Sequence, residues 1–216
     1  MIKVAIFDLD GTLLYTLEDL KDSTNFALEK FGFEPRTLEE VRNFVGNGVR
    51  KLMERCVPQG LQNPSFEACL QCFKEHYKKH MYNKTKPFDG ITEMLKNLKQ
   101  NDIKCAVVSN KFDTAVKELC AKYFGNLLDV AIGESPQIRK KPCPDSVLSV
   151  IDSLKISKEN CIYIGDSEVD IQTADNANIP CISVIWGYKT KNFLIKNNAR
   201  IIVETPKDLE NYILNN

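Results

Sequence analysis

The chain has 216 residues, of which 43% are hydrophobic and 27% are charged, so it can bury a full core and is not a disordered segment. Its 29 lysines and arginines equal its 29 aspartates and glutamates in number, and the formal net charge is therefore zero. Because no basic excess exists to neutralise phosphate groups over a wide surface, we expect neither a nucleic acid nor a membrane as a partner.

The sequence also indicates the compartment in which the protein works. The apolar run at the N-terminus ends at Phe7 and is too short for a signal peptide, and no stretch of about 18 apolar residues occurs. Three of the 8 cysteines, Cys105, Cys161 and Cys181, lie inside apolar runs, where a free thiol behaves as a small hydrophobic group. We therefore expect reduced cysteines and a cytoplasmic location.

Short β-rich runs alternate with helical patterns along much of the chain. The predicted strands are Lys3–Phe7, Lys104–Ser109, Val130–Ile132, Cys161–Ile164, Cys181–Ile185 and Arg200–Val203. Helical spacing of apolar residues separates most of them, as in the series Ile91, Leu95 and Leu98. This alternation predicts an α/β fold, in which a parallel sheet has helices on both faces and binds ligands beyond the carboxyl ends of its strands.

One segment interrupts the alternation. From Tyr15 to Lys86 the sequence shows helical periodicity and no convincing strand, and this length far exceeds what a crossover connection needs. We therefore predict two parts, a core formed by residues 1–14 and 87–216 and a helical domain of residues 15–86 inserted after the first strand.

Four polar clusters occur where the predicted strands end. They are Asp8-Leu9-Asp10-Gly11-Thr12, Ser109-Asn110-Lys111, Lys141-Pro142-Cys143-Pro144-Asp145 and Gly165-Asp166-Ser167-Glu168-Val169-Asp170. Gly11 suits a sharp turn beneath a ligand, and Asp145 is predicted to cap the following helix.

The residue types in these clusters point to phosphoryl transfer. Clustered carboxylates repel one another unless a cation is present, and ligand sets made only of oxygen suit Mg²⁺. A lysine and a hydroxyl beside Mg²⁺ match the charge of a transferring phosphoryl group, and a carboxylate can attack phosphorus to give an aspartyl phosphate. The residues themselves therefore predict Mg²⁺-dependent phosphoryl transfer through an aspartate.

With these four clusters in order, the chain resembles the haloacid dehalogenase superfamily. Within it, the segments Gly46-Asn47-Gly48, Ser109-Asn110-Lys111 and Trp186-Gly187-Tyr188 resemble the phosphoglycolate phosphatase-like branch. The resemblance implies a Rossmann-like core with an inserted α-helical cap, and it covers essentially the whole chain.

The resemblance also implies a catalytic role for each matching residue. Asp8 is expected to be the nucleophile, and Asp10 the acid that protonates the leaving group and later activates water. Ser109 and the adjacent backbone, including Asn110, would hold phosphoryl oxygens. Lys141 would neutralise charge on Asp8 and on the phosphoryl group.

A magnesium site follows from the same resemblance. Asp166 is expected to ligate Mg²⁺ together with Asp8 and the main-chain carbonyl of Asp10. Asp170 would either orient a metal-bound water or ligate the ion directly.

The substrate is expected to be a small phosphorylated metabolite, with 2-phosphoglycolate as the leading candidate. Gly11 and Thr12 are predicted to contact it, while Gly46-Asn47-Gly48 is either a substrate-binding loop of the cap or a loop that merely separates two helices. Two alternatives remain open, a sugar-phosphate mutase of the β-phosphoglucomutase type and a phospho-receiver signalling domain. We expect a monomer or a homodimer.

Overall fold

The computed structural model describes all 216 residues, which divide into two compact units. The core unit comprises Met1–Leu14 and Pro87–Asn216, and the helical unit comprises Tyr15–Lys86. None of the helices combines the length and the hydrophobicity that a membrane-spanning segment requires.

The core unit is built on a six-stranded parallel sheet. The strands of the chain are β1 (Val4–Phe7), β2 (Leu14–Tyr15), β3 (Lys86–Pro87), β4 (Lys104–Phe112), β5 (Val130–Glu134), β6 (Cys161–Gly165), β7 (Cys181–Val184) and β8 (Ile201–Val203). The sheet has the order β5-β4-β1-β6-β7-β8, so the first strand lies at its centre, between β4 and β6. All six predicted strands are present, and the predicted α/β class with a Rossmann-like parallel sheet is confirmed.

Ten α-helices accompany these strands. They are α1 (Leu17–Lys30), α2 (Leu38–Phe44), α3 (Val49–Cys56), α4 (Phe66–His80), α5 (Ile91–Gln100), α6 (Asp113–Tyr123), α7 (Asp145–Leu154), α8 (Glu168–Ala177), α9 (Lys191–Lys196) and α10 (Pro206–Asn215). The first four lie in the helical unit, and the other six lie in the core unit.

The central strands are buried on both faces, as a parallel sheet covered by helices requires. Every residue of β1 is buried. Alternate strand residues pack against α7 and α8 in one apolar cluster, which includes Val4, Ile6, Val108, Tyr163, Val147, Val150, Ala174 and Ala177. This packing fixes the strand ends, and with them the side chains that follow the strands.

The prediction that Asp145 caps a helix is wrong. Pro144 occupies the cap position of α7, no side chain caps that helix, and Asp145 is its first residue. The carboxylate of Asp145 instead accepts two hydrogen bonds from Arg139, at 2.8 and 2.9 Å. The helix begins one residue earlier than a capping Asp145 would require, which turns that side chain towards the preceding loop.

The helical unit is held together mainly by the buried faces of its helices. Leu17, Leu20 and Leu28 of α1 are buried, as are Phe66 and Phe73 of α4. The prediction that this segment contains no strand needs correction only at its two ends, where β2 and β3 pair as a two-stranded ribbon.

A buried aspartate links the start of the helical unit to its end. Asp19 in α1 is only 2% exposed. Its carboxylate accepts hydrogen bonds from the backbone N–H groups of Lys84, at 3.0 Å to each oxygen, and of Thr85, at 2.9 Å. The hydrogen-bonding needs of the Asp19 carboxylate are thus met by neutral backbone donors of the helical unit itself.

Candidate active site

Three aspartates meet at the carboxyl end of the central strands. Asp8 directly follows β1, Asp166 directly follows β6, and Asp170 lies in the first turn of α8. One potential ligand atom from each lies within 4.8 Å of the others, and all three residues are buried. The structure thus brings together side chains that the sequence separates by up to 162 positions, from Asp8 to Asp170.

Lys141 supplies the positive charge of this cluster. Its ammonium group donates hydrogen bonds to Asp8 Oδ1 at 2.7 Å, to Asp170 Oδ1 at 2.8 Å and to the hydroxyl of Tyr163 at 3.0 Å. Burial alone would lower the pKa of Lys141, but Asp170 and Asp8 together raise it well above its usual value. Lys141 is therefore a fixed cation shared by two carboxylates.

One ammonium does not balance three buried carboxylates. Burial is the largest influence on Asp8 and raises its pKa to about 7, against the opposing effect of Lys141. Burial, with Asp170 and Asp8 as neighbours, also raises the pKa of Asp166 well above its usual value. A buried, oxygen-only donor set with unbalanced negative charge fits a hard divalent cation.

Asp10 is held apart from this cluster by a lysine of its own. The ammonium of Lys111 lies 2.9 Å from Asp10 Oδ1 and 2.8 Å from Oδ2. The Lys111 side chain is 2% exposed and that of Asp10 is 14% exposed. The two aspartates of the first polar cluster therefore have different cationic partners, Lys141 for Asp8 and Lys111 for Asp10.

Ser109 and Asn110 connect the end of β4 to the loop that carries Lys141. The carboxamide of Asn110 donates to the backbone carbonyl of Lys141 at 3.0 Å and accepts from its backbone N–H at 2.7 Å. The hydroxyl oxygen of Ser109 accepts a hydrogen bond from the backbone N–H of Lys111 at 3.3 Å. Asn110 thus fixes the backbone from which the Lys141 ammonium extends.

Two glycines make room for Asp166. Gly11 has a φ of +91°, and a side chain there would overlap the Asp166 carboxylate. A side chain at Gly187 would likewise overlap Asp166 and the carbonyl oxygen of Gly11. The backbone N–H of Tyr188 donates to Asp166 Oδ2 at 2.6 Å, so the segment after β7 holds this carboxylate in place.

Thr12 is fully buried beside this segment. Its carbonyl oxygen accepts a hydrogen bond from the indole N–H of Trp186 at 2.9 Å. Its hydroxyl oxygen is buried without a hydrogen-bond partner. The backbone of Thr12 is therefore engaged within the core unit, whereas its side chain retains an unused polar group.

Gly46, Asn47 and Gly48 belong to the helical unit, where they connect α2 to α3. Gly46 and Gly48 have positive φ values of 123° and 85°. The side-chain oxygen of Asn47 accepts a hydrogen bond from Arg55 at 2.9 Å, and Arg55 also donates to the carbonyl of Phe44. Arg55 thus ties this loop to its own unit.

Two residues in the site were given no role by sequence analysis. Lys111 was recognised only as part of a motif, and Tyr163 was hidden in an apolar strand. The Tyr163 hydroxyl accepts from Lys141 at 3.0 Å and lies 3.1 Å from Asp170 Oδ1, to which it donates. The available signal was its phenol, because a buried tyrosine hydroxyl needs a hydrogen-bond partner.

Comparison with known proteins places the chain in a family. A model of the haloacid dehalogenase-like hydrolases matches residues 5–184. The chain is 30% identical to a phosphoglycolate phosphatase of Aquifex aeolicus over 212 residues, which cover 96% of this chain and 95% of that protein. It is 33% identical to a phosphoglycolate phosphatase of Psychrobacter arcticus over 195 residues, which cover 86% of this chain and 84% of that protein.

A solved structure agrees with these sequence relatives. A candidate phosphoglycolate phosphatase from Lactobacillus delbrueckii subsp. bulgaricus superimposes with a TM-score of 0.95 at 38% identity, covering 99% of each chain. A phospho-receiver domain is thereby excluded. The chain belongs to the haloacid dehalogenase-like hydrolases, in their phosphoglycolate phosphatase-like branch, and is a phosphoric monoester hydrolase.

Proposed function

We propose that this enzyme hydrolyses 2-phosphoglycolate with the help of Mg²⁺, through an aspartyl phosphate formed on Asp8. The observation that carries the mechanism is the pairing of each aspartate with its own lysine, Asp8 with Lys141 and Asp10 with Lys111. This pairing supports different roles for two carboxylates that lie only two residues apart.

In the first step, a carboxylate oxygen of Asp8 attacks phosphorus, and the bond between phosphorus and the ester oxygen breaks. Lys141, 2.7 Å from Asp8 Oδ1, keeps that side chain oriented and balances its charge. Asp10 gives a proton to the departing ester oxygen, so the leaving group departs as an alcohol.

In the second step, Asp10 takes a proton from a water molecule, whose oxygen attacks the phosphorus of the aspartyl phosphate. The bond between phosphorus and Asp8 breaks, which releases phosphate and restores the Asp8 carboxylate. The contacts of Lys111 with both oxygens of Asp10 support this role, because they fix the acid at one place through both steps.

The residues proposed to hold Mg²⁺ are Asp8, Asp166 and the main-chain carbonyl of Asp10. When bound, the ion neutralises negative charge on the carboxylates and on the phosphoryl group. Both oxygens of Asp170 already interact with protein donors, Oδ1 with Lys141 and Oδ2 with the Ser167 hydroxyl at 2.6 Å. These contacts support a role for Asp170 in orienting a metal-bound water.

The remaining predicted contacts concern the phosphoryl group and the substrate. Ser109 and the backbone around Asn110 are proposed to hold phosphoryl oxygens, and the first turn at Gly11 and Thr12 to line the substrate. The buried, unpartnered hydroxyl of Thr12 supports this last assignment. We further propose that the helical unit acts as a cap and that the loop Gly46–Gly48 contributes to substrate binding.

The choice of 2-phosphoglycolate rests on the curated relatives, several of which are phosphoglycolate phosphatases. A sugar-phosphate mutase would use the same chemistry at Asp8, so the test below also measures isomerisation. The cytoplasmic location and the monomeric or dimeric state stay predictions from the sequence.

The test is phosphate release from 2-phosphoglycolate by the purified protein. Activity should disappear with a chelator, return with Mg²⁺ and return poorly with the larger Ca²⁺. Full activity after complete metal removal would contradict the proposed mechanism. A parallel assay that converts β-glucose 1-phosphate into glucose 6-phosphate addresses the mutase, because isomerisation faster than phosphate release would contradict the phosphatase assignment.

A further inference from the structure

Lys111 lies at the end of β4 beside Ser109 and is only 3% exposed. We propose that its ammonium group is an anion subsite for the leaving group, which binds a carboxylate next to the ester oxygen and so selects phosphorylated α-hydroxy acids. This inference rests on the proposed function and assigns its specificity to one residue.

The position of Lys111 relative to the proposed reaction is the first argument. Lys111 and Lys141 are the only lysines or arginines of the chain that are buried. Lys141 binds Asp8, the residue that attacks phosphorus, and it therefore lies at the phosphoryl end of the substrate. Lys111 binds Asp10, the residue that contacts the ester oxygen, and it therefore lies at the leaving-group end.

The hydrogen bonds of Lys111 provide the second argument. In the resting structure its ammonium contacts both oxygens of Asp10. During transfer, the Asp10 oxygen that carries the proton points it at the ester oxygen and is a weaker partner for Lys111. A buried ammonium beside a carboxylate that has lost its charge is stabilised by a second anion. A carboxylate on the leaving group supplies one, whereas a neutral leaving group does not.

The third argument is the distance between the Lys111 ammonium and the carboxylate of the leaving group. Asp10 must lie within one hydrogen bond of the ester oxygen, and Lys111 lies one hydrogen bond beyond Asp10. A single carbon separates the carboxylate of 2-phosphoglycolate from its ester oxygen, so that carboxylate can contact the ammonium while the proton is transferred. An anion at the end of a longer leaving group would lie past this point. The subsite therefore favours short substrates.

The experiment compares two esters of equal length, 2-phosphoglycolate and 2-hydroxyethyl phosphate, which differ in carrying a carboxylate or a hydroxyl. We expect wild-type kcat/KM to be about 100-fold higher for 2-phosphoglycolate. In Lys111→Met both values fall because Asp10 loses a partner, but the ratio between the two esters falls to within about fivefold of one. Lys111→Arg should keep part of the preference.

Lys117→Met is the matched control, because that lysine lies in α6 of the same unit and its side chain is 62% exposed. It should leave both the rates and the ratio unchanged. Hydrolysis of p-nitrophenyl phosphate, whose leaving group needs little protonation, reports whether each variant is folded and competent at Asp8.

Three outcomes would overturn the inference. A wild-type enzyme that hydrolyses both esters equally well lacks the subsite, whatever the variants do. A Lys111→Met enzyme that loses both activities in proportion, with the ratio unchanged, shows that Lys111 acts on Asp10 alone. A wild-type enzyme that hydrolyses none of the esters with Mg²⁺ contradicts the proposed function, and the subsite fails with it.

Discussion

Two buried aspartates of this molecule are held in opposite ways. Asp19 of the helical unit is 2% exposed and accepts hydrogen bonds from the backbone N–H groups of Lys84 and Thr85. Asp8 of the core unit is 8% exposed but shares Lys141 with Asp170 and faces Asp166. The difference teaches that burial alone does not mark a functional carboxylate. The carboxylate proposed to react is the one whose surroundings leave negative charge unbalanced.

The largest effect on turnover should follow from Asp8→Asn. We expect kcat to fall by about 10⁵-fold or more and no phosphoenzyme to form, because the amide cannot attack phosphorus. The measurements are phosphate release and acid-quenched labelling with a radioactive phosphate ester.

In chelator at pH 8, the Asp8→Asn variant should melt at a higher temperature than wild type, because a buried carboxylate with a raised pKa destabilises the fold when ionised. A clear drop in melting temperature would show that Asp8 resembles Asp19 after all.

Asp10→Asn should have the second largest effect, with kcat lower by about 10³-fold. The loss in the rate of phosphoenzyme formation should be smaller for p-nitrophenyl phosphate, because its leaving group needs little help from an acid. The phosphoenzyme should still form from that ester and should persist, since water activation also depends on Asp10. Near-normal turnover of 2-phosphoglycolate by this variant would contradict the assignment of the acid.

Tyr163→Phe should lower kcat by about tenfold and leave KM almost unchanged. The substitution removes only the hydroxyl that bonds to Lys141 and Asp170, and it keeps the ring in the apolar cluster. Tyr77→Phe in the helical unit is the matched control, because Tyr77 is 1% exposed and lies outside the acidic cluster. Equal kinetic effects of the two substitutions would mean that Tyr163 contributes to packing alone.

Asp19→Asn should have the smallest effect on turnover and a clear effect on stability. We expect the free energy of unfolding to fall by about 1–3 kcal/mol, because an amide group accepts fewer hydrogen bonds and places its own N–H beside those of Lys84 and Thr85. Urea unfolding followed by circular dichroism measures this change. The same replacement is thus expected to stabilise the protein as Asp8→Asn and to destabilise it as Asp19→Asn. If both variants changed stability in the same direction, the contrast between the two aspartates would not hold.

Much of this molecule could be predicted from its sequence. The six core strands are marked by short apolar runs, and β1 and β6 end directly before Asp8 and Asp166. Because parallel strands place their carboxyl ends at one edge, the acidic residues could be expected to meet. Their meeting within 4.8 Å bears out that expectation of proximity, whereas their catalytic roles stay proposals.

Not all partners of individual side chains could be predicted. The family resemblance indicates Asp8 as a partner of Lys141, but nothing in the spacing of the residues assigns Lys111 to Asp10. The answer depends on the loop geometry, in which the carboxamide of Asn110 fixes the backbone of Lys141. The mistaken cap at Asp145 has a similar origin, because a shift of one residue in a helix start redirects a side chain.

The contact between Tyr188 and Asp166 bears on the order in which the chain can become active during synthesis. Asp8 is made early, but β1 lies between β4 and β6, and the Asp166 carboxylate is held by the backbone of Tyr188. A nascent chain that does not yet include Tyr188 therefore lacks a backbone donor to this acidic cluster, although Asp8 was made much earlier. Since proteins are made from the N-terminus, the hydrogen bonds of this cluster are complete only after most of the core has been made.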